Sequence, residues 1–172
     1  VASAFHRPSQ ARLPVRSVKE LITIARARPG ELNFASAGNG TSSHLGGELL
    51  KNMTGTRIVH IPYKGGAPSA ADVVGGHVLM LFATVQSSIA YVNTKKLRAL
   101  AVTAKQRSSL AKDVPTMAEA GFPGVEVASW YGLVGPAGLH TDVLAKLDAE
   151  VRRVSHSTEL RDRLLGRGYE PM

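Results

Sequence analysis

The sequence of 172 residues contains no cysteine, one tryptophan and only 5% aromatic residues. The absence of cysteine excludes disulfides, thiolate metal sites and cysteine nucleophiles. No apolar run approaches the roughly 20 residues that span a bilayer as a helix. Residues 1–8 have neither an initial Met nor the basic-then-apolar pattern of a signal peptide, so we expect a mature or truncated product.

The composition is that of a folded α/β protein, with 44% hydrophobic residues and 17 glycines. The net charge is +8, and residues 1–30 contribute +5 of it through six Lys and Arg against one Glu. A nucleic-acid surface needs basic and aromatic residues clustered on one face. This sequence has few aromatics and a basic excess at one end, so we predict a solvated basic flank and no nucleic-acid partner.

The most informative segment is 33–44, in which a short apolar run ends in Gly-Asn-Gly-Thr-Ser-Ser before an amphipathic stretch at 45–53. This pattern predicts a strand, a glycine-rich turn and a helix. The first turn of a helix carries unpaired N–H donors and partial positive charge, so the turn can hold an anion. The residues alone leave a second interpretation equally open, an ordinary strand–helix turn with good capping residues.

The rest of the chain alternates between strand and helix patterns. Ser17 and Glu20 form a capping box at the start of a helix that Pro29 ends. Such alternation indicates a mainly parallel sheet with helices on both faces. Strands are predicted at 33–36, 57–63, 77–84, 97–104 and 125–134.

Several longer phrases occur in an order that resembles one family. They are SVKELI at 17–22, FASAGNGTSSHL at 34–45, VHIPYKGG at 59–66, KLRALAVT at 96–103, DVPTMAEAG at 113–121 and WYGLVGPAG at 130–138. In this order they resemble the substrate-binding proteins of tripartite tricarboxylate transporters, the Bug family of extracytoplasmic solute receptors. The resemblance covers nearly the whole chain from about residue 14 onward.

The resemblance implies a type II periplasmic binding protein fold in the α/β class. We expect one complete lobe, with a mainly parallel sheet flanked by helices, and a partial second lobe. Residues 1–15 would be an extended lead-in or hinge, 16–128 the second-lobe ligand-binding domain, and 129–172 a partial return to the first lobe. On this reading the chain is truncated, and association between copies is expected because apolar helix faces would lack cover.

The resemblance also implies where a ligand would bind. The glycine-rich turn corresponds to the carboxylate loop of the second lobe, and loops after neighbouring strand ends line the same crevice. At the end of the buried strand many family members carry Asp where this chain has Ala83, which favours a plain carboxylic acid over an amino acid. The predicted ligand-binding residues are Ser36, Ala37, Gly38, Asn39, Gly40, Thr41, Ser42, Ser43, Tyr63, Lys64, Ala83 and Thr84.

The expected function is that of a solute receptor that holds a di- or tricarboxylate, or a related organic acid, between two lobes and delivers it to a membrane permease in the periplasm. We predict no catalytic residue, no metal and no cofactor, because no paired carboxylates or serine–histidine–acid set is evident. His44, His60 and His77 each look isolated. Two alternatives remain, a non-binding oligomeric remnant and a small α/β enzyme that binds phosphate at the 38–43 turn with His44 as general acid or base.

Overall fold

The computed structural model describes residues 2–5, 13–167 and 169. The chain divides into two compact units, Val1–Ser129 and Trp130–Met172. The sequence-based division at residues 15 and 128 stays a prediction.

The first unit is built on a five-stranded sheet. Its strands are β1 (Ala2–Phe5), β2 (Asn33–Ser36), β3 (Val59–Pro62), β4 (Met80–Phe82) and β5 (Leu97–Ala101). Their order across the sheet is β3-β2-β4-β1-β5. β2 is parallel to β3 and β4, whereas β1 is antiparallel to both of its neighbours, β4 and β5. The sheet is therefore mainly parallel, as expected, with one reversed strand.

Within the described residues, four helices belong to the first unit and two to the second. They are α1 (Val18–Ala27), α2 (Ser42–Thr54), α3 (Gly66–Gly75) and α4 (Val85–Asn93), followed by α5 (Thr141–Ser155) and α6 (Thr158–Gly166). α1 begins as predicted, since the Glu20 N–H donates to the Ser17 side chain at 3.2 Å. Among the described residues, no helix combines the length and the apolar character that a membrane crossing requires.

The core lies on both faces of the sheet, because successive residues of a strand point to opposite sides. Phe34 belongs to a buried cluster that includes Leu21 of α1 and Leu50 of α2. Its neighbour Ala35 belongs to a second cluster with Val73 of α3. Helices α1 and α2 thus cover one face and α3 and α4 the other, which confirms the flanked α/β arrangement.

Two segments differ from the sequence-based expectation. Residues 2–5 form β1 inside the sheet, although they were expected to be an extended lead-in; residues 6–12 of that lead-in lie outside the described part. The strand predicted at 125–134 is wrong. Within the described residues this segment pairs with no strand, and Val127 is held instead by bonds to Thr103, one from the Val127 N–H and one from the Thr103 hydroxyl.

In the second unit, α5 is amphipathic, as the sequence predicts. Its apolar stripe is solvent-exposed rather than buried, with side chains between 42% and 57% exposed. The stripe consists of Val143, Leu144, Leu147, Val151 and Val154.

Candidate functional site

Three helices begin at one edge of the sheet. Because β2, β3 and β4 are parallel, their carboxyl ends lie on the same side, and α2, α3 and α4 start just beyond them. Short contacts join the three turns: the Gly65 N–H donates to Ala37 O at 2.9 Å, and a Cβ on Gly66 would lie 3.0 Å from Ser87 Cβ. We call this edge the helix-terminus site. Three helix N-termini give it unpaired N–H groups and partial positive charge, which suit an anion.

Hydroxyl groups hold the glycine-rich loop in shape. Ser43 Oγ accepts from Ala37 N–H at 3.0 Å, and Ser36 Oγ accepts from Gly38 N–H at 3.1 Å. Thr41 Oγ1 donates to Gly38 O at 2.7 Å. Ser36 and Ser43 are buried, so in this conformation their hydroxyls support the loop and do not face solvent.

Glycine is required at one position of the loop. Gly38 has φ +136°, and a Cβ there would lie 3.0 Å from Tyr63 O. A side chain at residue 38 would therefore combine a strained backbone with a tight contact against the next turn. The loop is held close to the β3–α3 turn, where the Tyr63 N–H donates to Ser36 O at 3.1 Å.

The loop offers backbone donors at its exposed side. Within residues 2–5, 13–167 and 169, the N–H groups of Asn39, Ser42 and Ser43 have no protein acceptor. The Gly40 N–H, in contrast, donates to His44 Nδ1 at 3.1 Å. Ser42 Oγ lies 2.6 Å from Ser129 Oγ. The site therefore presents neutral N–H donors at the start of α2.

The β3–α3 turn places two predicted side chains in different settings. The Tyr63 hydroxyl donates to Asp72 Oδ2 at 2.6 Å, and burial together with that carboxylate raises the pKa of Tyr63 to about 12. Tyr63 is thus held neutral and turned toward α3. Lys64 is exposed, and it forms no ion pair with the part of the chain that the structure describes. Lys64 lies within the β3–α3 turn, so its ammonium is a candidate to add a full positive charge to the helix-terminus site.

The end of β4 is mostly apolar. Ala83 is only 8% exposed, and Thr84 is the N-cap of α4 with Oγ1 3.1 Å from Ser87 Oγ. All twelve predicted residues thus follow or end β2, β3 or β4 at the helix-terminus site. Ser36, Ser43 and Ala83 are the buried ones, and their contact with a ligand, like that of the other nine, stays a prediction.

His44 and His60 are not isolated, so the expectation from the sequence was wrong for these two residues. Their rings stack with centroids 4.1 Å apart, and the His60 ring also stacks on Phe34 at 4.8 Å. His60 Nε2 lies 2.6 Å from Ser36 Oγ. Burial, and then the charge of His44, lower the pKa of His60, so the neutral ring is favoured.

A third group completes this cluster. Glu48 lies one helical turn after His44, with its Oε1 3.9 Å from His44 Nε2. One ligand atom from each of His44, Glu48 and His60 lies within 4.8 Å of the others. The spacing of four residues between His44 and Glu48 was the available sequence signal. The position of His60 depends on the pairing of β2 with β3, which no local pattern gives.

Solved structures define the class of protein to which this fold belongs. Rpa4515 from R. palustris, solved with adipate, matches with a TM-score of 0.88 and 36% identity, covering 99% of this chain and 55% of that one. MatC from Rhodopseudomonas palustris, solved with bound malate, matches with a TM-score of 0.86 and 28% identity, covering 99% and 56%. The chain has the α/β fold of type II periplasmic binding proteins.

The sequence places the chain within one family of that class. The profile of the tripartite tricarboxylate transporter family receptor, TctC, matches residues 3–172, and the chain belongs to this family. A UPF0065 protein of Pseudomonas sp., from the tcbD–tcbE intergenic region, is 40% identical over 85% of this chain and 43% of its own length. Protein BugT of Bordetella pertussis is 32% identical over 94% of this chain and 49% of its own. The chain thus spans about half the length of these relatives.

Proposed function

We propose that this chain supplies one wall of the binding site of a periplasmic solute receptor that holds a small organic carboxylate. The observation that carries the proposal is the meeting of three helix N-termini at the helix-terminus site, where the N–H groups of Asn39, Ser42 and Ser43 find no acceptor in the described part of the chain. A carboxylate accepts hydrogen bonds from such donors, and the partial charge of the helix ends favours an anion.

The residues around these donors favour an acid without an amine. Ala83 puts a methyl group at the end of β4, so no carboxylate side chain stands there to pair with an ammonium. Lys64 is exposed beside the turn and can add positive charge for a second carboxylate of the ligand. A di- or tricarboxylate is therefore the proposed ligand class. Adipate and malate, which occupy two of the similar structures, are the natural first ligands to test.

Delivery of the ligand to a membrane permease of a tripartite tricarboxylate transporter, in the periplasm, is part of the same proposal. Its support is membership of the receptor family and likeness to periplasmic proteins. Self-association is proposed on separate grounds, since α5 exposes a stripe of five apolar side chains. Size-exclusion chromatography with light scattering gives the mass in solution; a monomer at tens of micromolar would contradict self-association.

The proposed role is binding without catalysis and without a cofactor. The alternative, a phosphate-binding enzyme with His44 as acid or base, requires a proton-transfer group aimed at a substrate. His44 Nδ1 instead accepts a hydrogen bond from the protein's own Gly40 N–H. Inorganic phosphate therefore serves as a competing anion in the binding experiment. Tight binding of phosphate, together with no binding of malate or adipate, would favour the phosphate-binding enzyme.

The experiment is isothermal titration calorimetry of the 172-residue chain with malate and adipate. Ser42→Pro removes the N–H at the first position of α2, where proline is tolerated and the preceding Thr41 is already extended. Ser42→Ala removes only the hydroxyl. Thr158→Pro is the matched control, because it makes the same change at the first position of α6 after the extended residue Ser157.

The proposal predicts binding by the unchanged chain and a loss of about tenfold or more for Ser42→Pro, or about 1.4 kcal/mol. Ser42→Ala should lose less, and Thr158→Pro should bind like the unchanged chain. Equal affinity in Ser42→Pro and the unchanged chain would refute the role of the α2 N-terminus. Absence of any carboxylate binding by the folded, unchanged chain would support the non-binding remnant.

A further inference from the structure

We propose that His44, Glu48 and His60 form a binding site for a divalent transition-metal ion such as Zn²⁺ or Ni²⁺. We call these residues the His–Glu–His cluster. Two imidazoles and one carboxylate are a ligand set that such ions accept, with water completing a tetrahedral or larger shell. The cluster lies on α2 and β3, beside the helix-terminus site, and the proposal does not depend on carboxylate binding.

The geometry of the cluster follows from two elements. His44 and Glu48 are four residues apart on α2 and share one face, with Nε2 and Oε1 3.9 Å apart. His60 approaches from β3, and its ring centroid lies 4.1 Å from that of His44. One ligand atom of each residue lies within 4.8 Å of the others, and all three side chains are partly exposed. A solvated ion therefore has a path to all three.

Small movements would complete the site. Ligand atoms about 2.0–2.1 Å from a tetrahedral ion lie roughly 3.4 Å from one another, so the atoms of the cluster, which lie within 4.8 Å, must close by up to about 1.4 Å. The stacked rings must also tilt until their nitrogen lone pairs converge. Lys51 Nζ, which is 2.7 Å from Glu48 Oε1, would leave the carboxylate to the metal. His44 and Glu48 are partly exposed and can rotate about their side-chain bonds. The His60 ring is stacked on Phe34 with Nε2 2.6 Å from Ser36 Oγ, so it binds the ion through Nδ1 or gives up the bond to Ser36.

Metal at His44 has one further consequence. His44 Nδ1 accepts from the Gly40 N–H, which assigns the proton of the neutral ring to Nε2. A metal on Nε2 moves that proton to Nδ1, where it faces the Gly40 N–H, and a metal on Nδ1 takes the accepting lone pair. Either way the bond to Gly40 breaks. The amide of Gly40 thereby reports on the metal without any substitution.

The test uses the 172-residue chain without an affinity tag, stripped of metal with a chelator and then titrated with Zn²⁺ or Ni²⁺ by calorimetry. The variants are His44→Ala, Glu48→Gln and His60→Phe, the last of which keeps an aromatic ring against Phe34. His140→Ala is the matched control, because His140 Nδ1 also lies near a carboxylate, 3.6 Å from Asp142 Oδ2, but belongs to no three-residue cluster among the described residues.

The expected result is one ion per chain, with affinity reduced at least about tenfold in each cluster variant and unchanged in His140→Ala. In the unchanged chain, Zn²⁺ should shift the Gly40 amide resonance more than the amide of Gly55, which lies at the other end of α2. Equal affinity in all four variants, or binding lost only in His140→Ala, would overturn the proposal. A Gly40 amide that stays in place while an ion binds would overturn it too, and that readout holds even where a variant fails to fold.

Discussion

The backbone N–H of Gly40 donates a hydrogen bond of 3.1 Å to Nδ1 of His44, four residues further along the chain. A donor in the glycine-rich loop is thus occupied by a side chain of the helix that follows it. Ser42 and Ser43, at the first two positions of α2, keep their N–H groups free of any acceptor in the described residues. His44 therefore fixes the conformation of the loop, whereas the N–H groups at the start of α2 remain available to bind an anion.

Because His44 fixes the loop and the start of α2 supplies the donors, we predict a small effect of His44→Ala on carboxylate affinity. The substitution releases the Gly40 N–H and loosens the loop, but the donors of Ser42 and Ser43 stay in place. We expect the dissociation constant for malate or adipate to change by less than about threefold, equivalent to about 0.7 kcal/mol. Calorimetry beside Ser42→Pro checks this. A loss larger than that of Ser42→Pro would mean that His44 contacts the ligand.

Gly38→Ala should damage both the loop and binding. The residue has φ +136°, and a Cβ would meet Tyr63 O at 3.0 Å. We expect a loss of about 1–3 kcal/mol in the free energy of unfolding and a carboxylate affinity at least about tenfold lower. Urea denaturation and calorimetry measure the two effects.

Gly55→Ala is the control for Gly38→Ala. Gly55 also has positive φ, +63°, but it ends α2 far from the loop and a Cβ there meets nothing within 4 Å. Gly55→Ala should lower the free energy of unfolding by about 1 kcal/mol without any change in carboxylate affinity. Equal losses of affinity in the two variants would show that stability, and not the shape of the loop, controls binding.

Two adjacent glycines of α2 should respond differently to alanine. A Cβ on Gly47 would overlap the Phe34 ring, whereas a Cβ on Gly46 would lie 3.4 Å from Phe82 Cδ1. Gly47→Ala should therefore destabilise the protein by about 1–3 kcal/mol through overpacking. In Gly46→Ala the gain in helix propensity, up to about 1 kcal/mol, offsets the tighter contact.

Urea denaturation of both variants under the same conditions checks this pair. Since Phe34 also stacks on His60, its displacement in Gly47→Ala should change the environment of the His60 ring. That change is visible in the proton resonances of the imidazole. If Gly47→Ala is as stable as Gly46→Ala, α2 does not rest on Phe34 as closely as the structure indicates.

Local sequence patterns predicted the parts of this fold that depend on local rules. Ser17 caps α1 as predicted, although the Glu20 carboxylate accepts from the Arg16 N–H and not from that of Ser17. The glycine-rich turn leads into α2, because caps and turns are set by residues within one helical turn. β1 was missed, since four residues near the end of the chain become a strand only through pairing with β4 and β5. The prediction of a strand at 125–134 was wrong for the converse reason. Its residues suit a strand but find no partner strand in the described residues.

The candidate site was likewise predicted where it depends on local sequence and missed where it depends on strand pairing. Residues 36–43 were predicted from one continuous motif, and the start of α3 and α4 at the same edge followed from the alternation of strands and helices. The meeting of His44 with His60 was not predicted. Sixteen residues separate the two in the sequence, and only the register of β2 against β3 brings His60 beside Phe34 and so beneath α2.

Tyr63 should ionise at a higher pH than is usual for a tyrosine. Burial and the hydrogen bond to Asp72 raise its pKa to about 12 in the folded protein, above the usual value near 10. A raised pKa means that the folded state retains the proton more strongly than the unfolded state. The stability that Tyr63 contributes is thus fully present below about pH 10, and it is lost as the pH rises from there toward about 12.

Absorbance of tyrosinate near 295 nm measures this titration in a chain with four tyrosines. At the usual tyrosine value near pH 10 the folded chain should retain the Tyr63 proton, and the Tyr63 component of the absorbance change should follow only at higher pH or on unfolding. The difference between the titration curves of the unchanged chain and of Tyr63→Phe isolates that component, while circular dichroism at each pH shows whether the chain is still folded. A difference that is already complete below about pH 11 in the folded chain would mean that the bond to Asp72 does not hold the Tyr63 proton in solution.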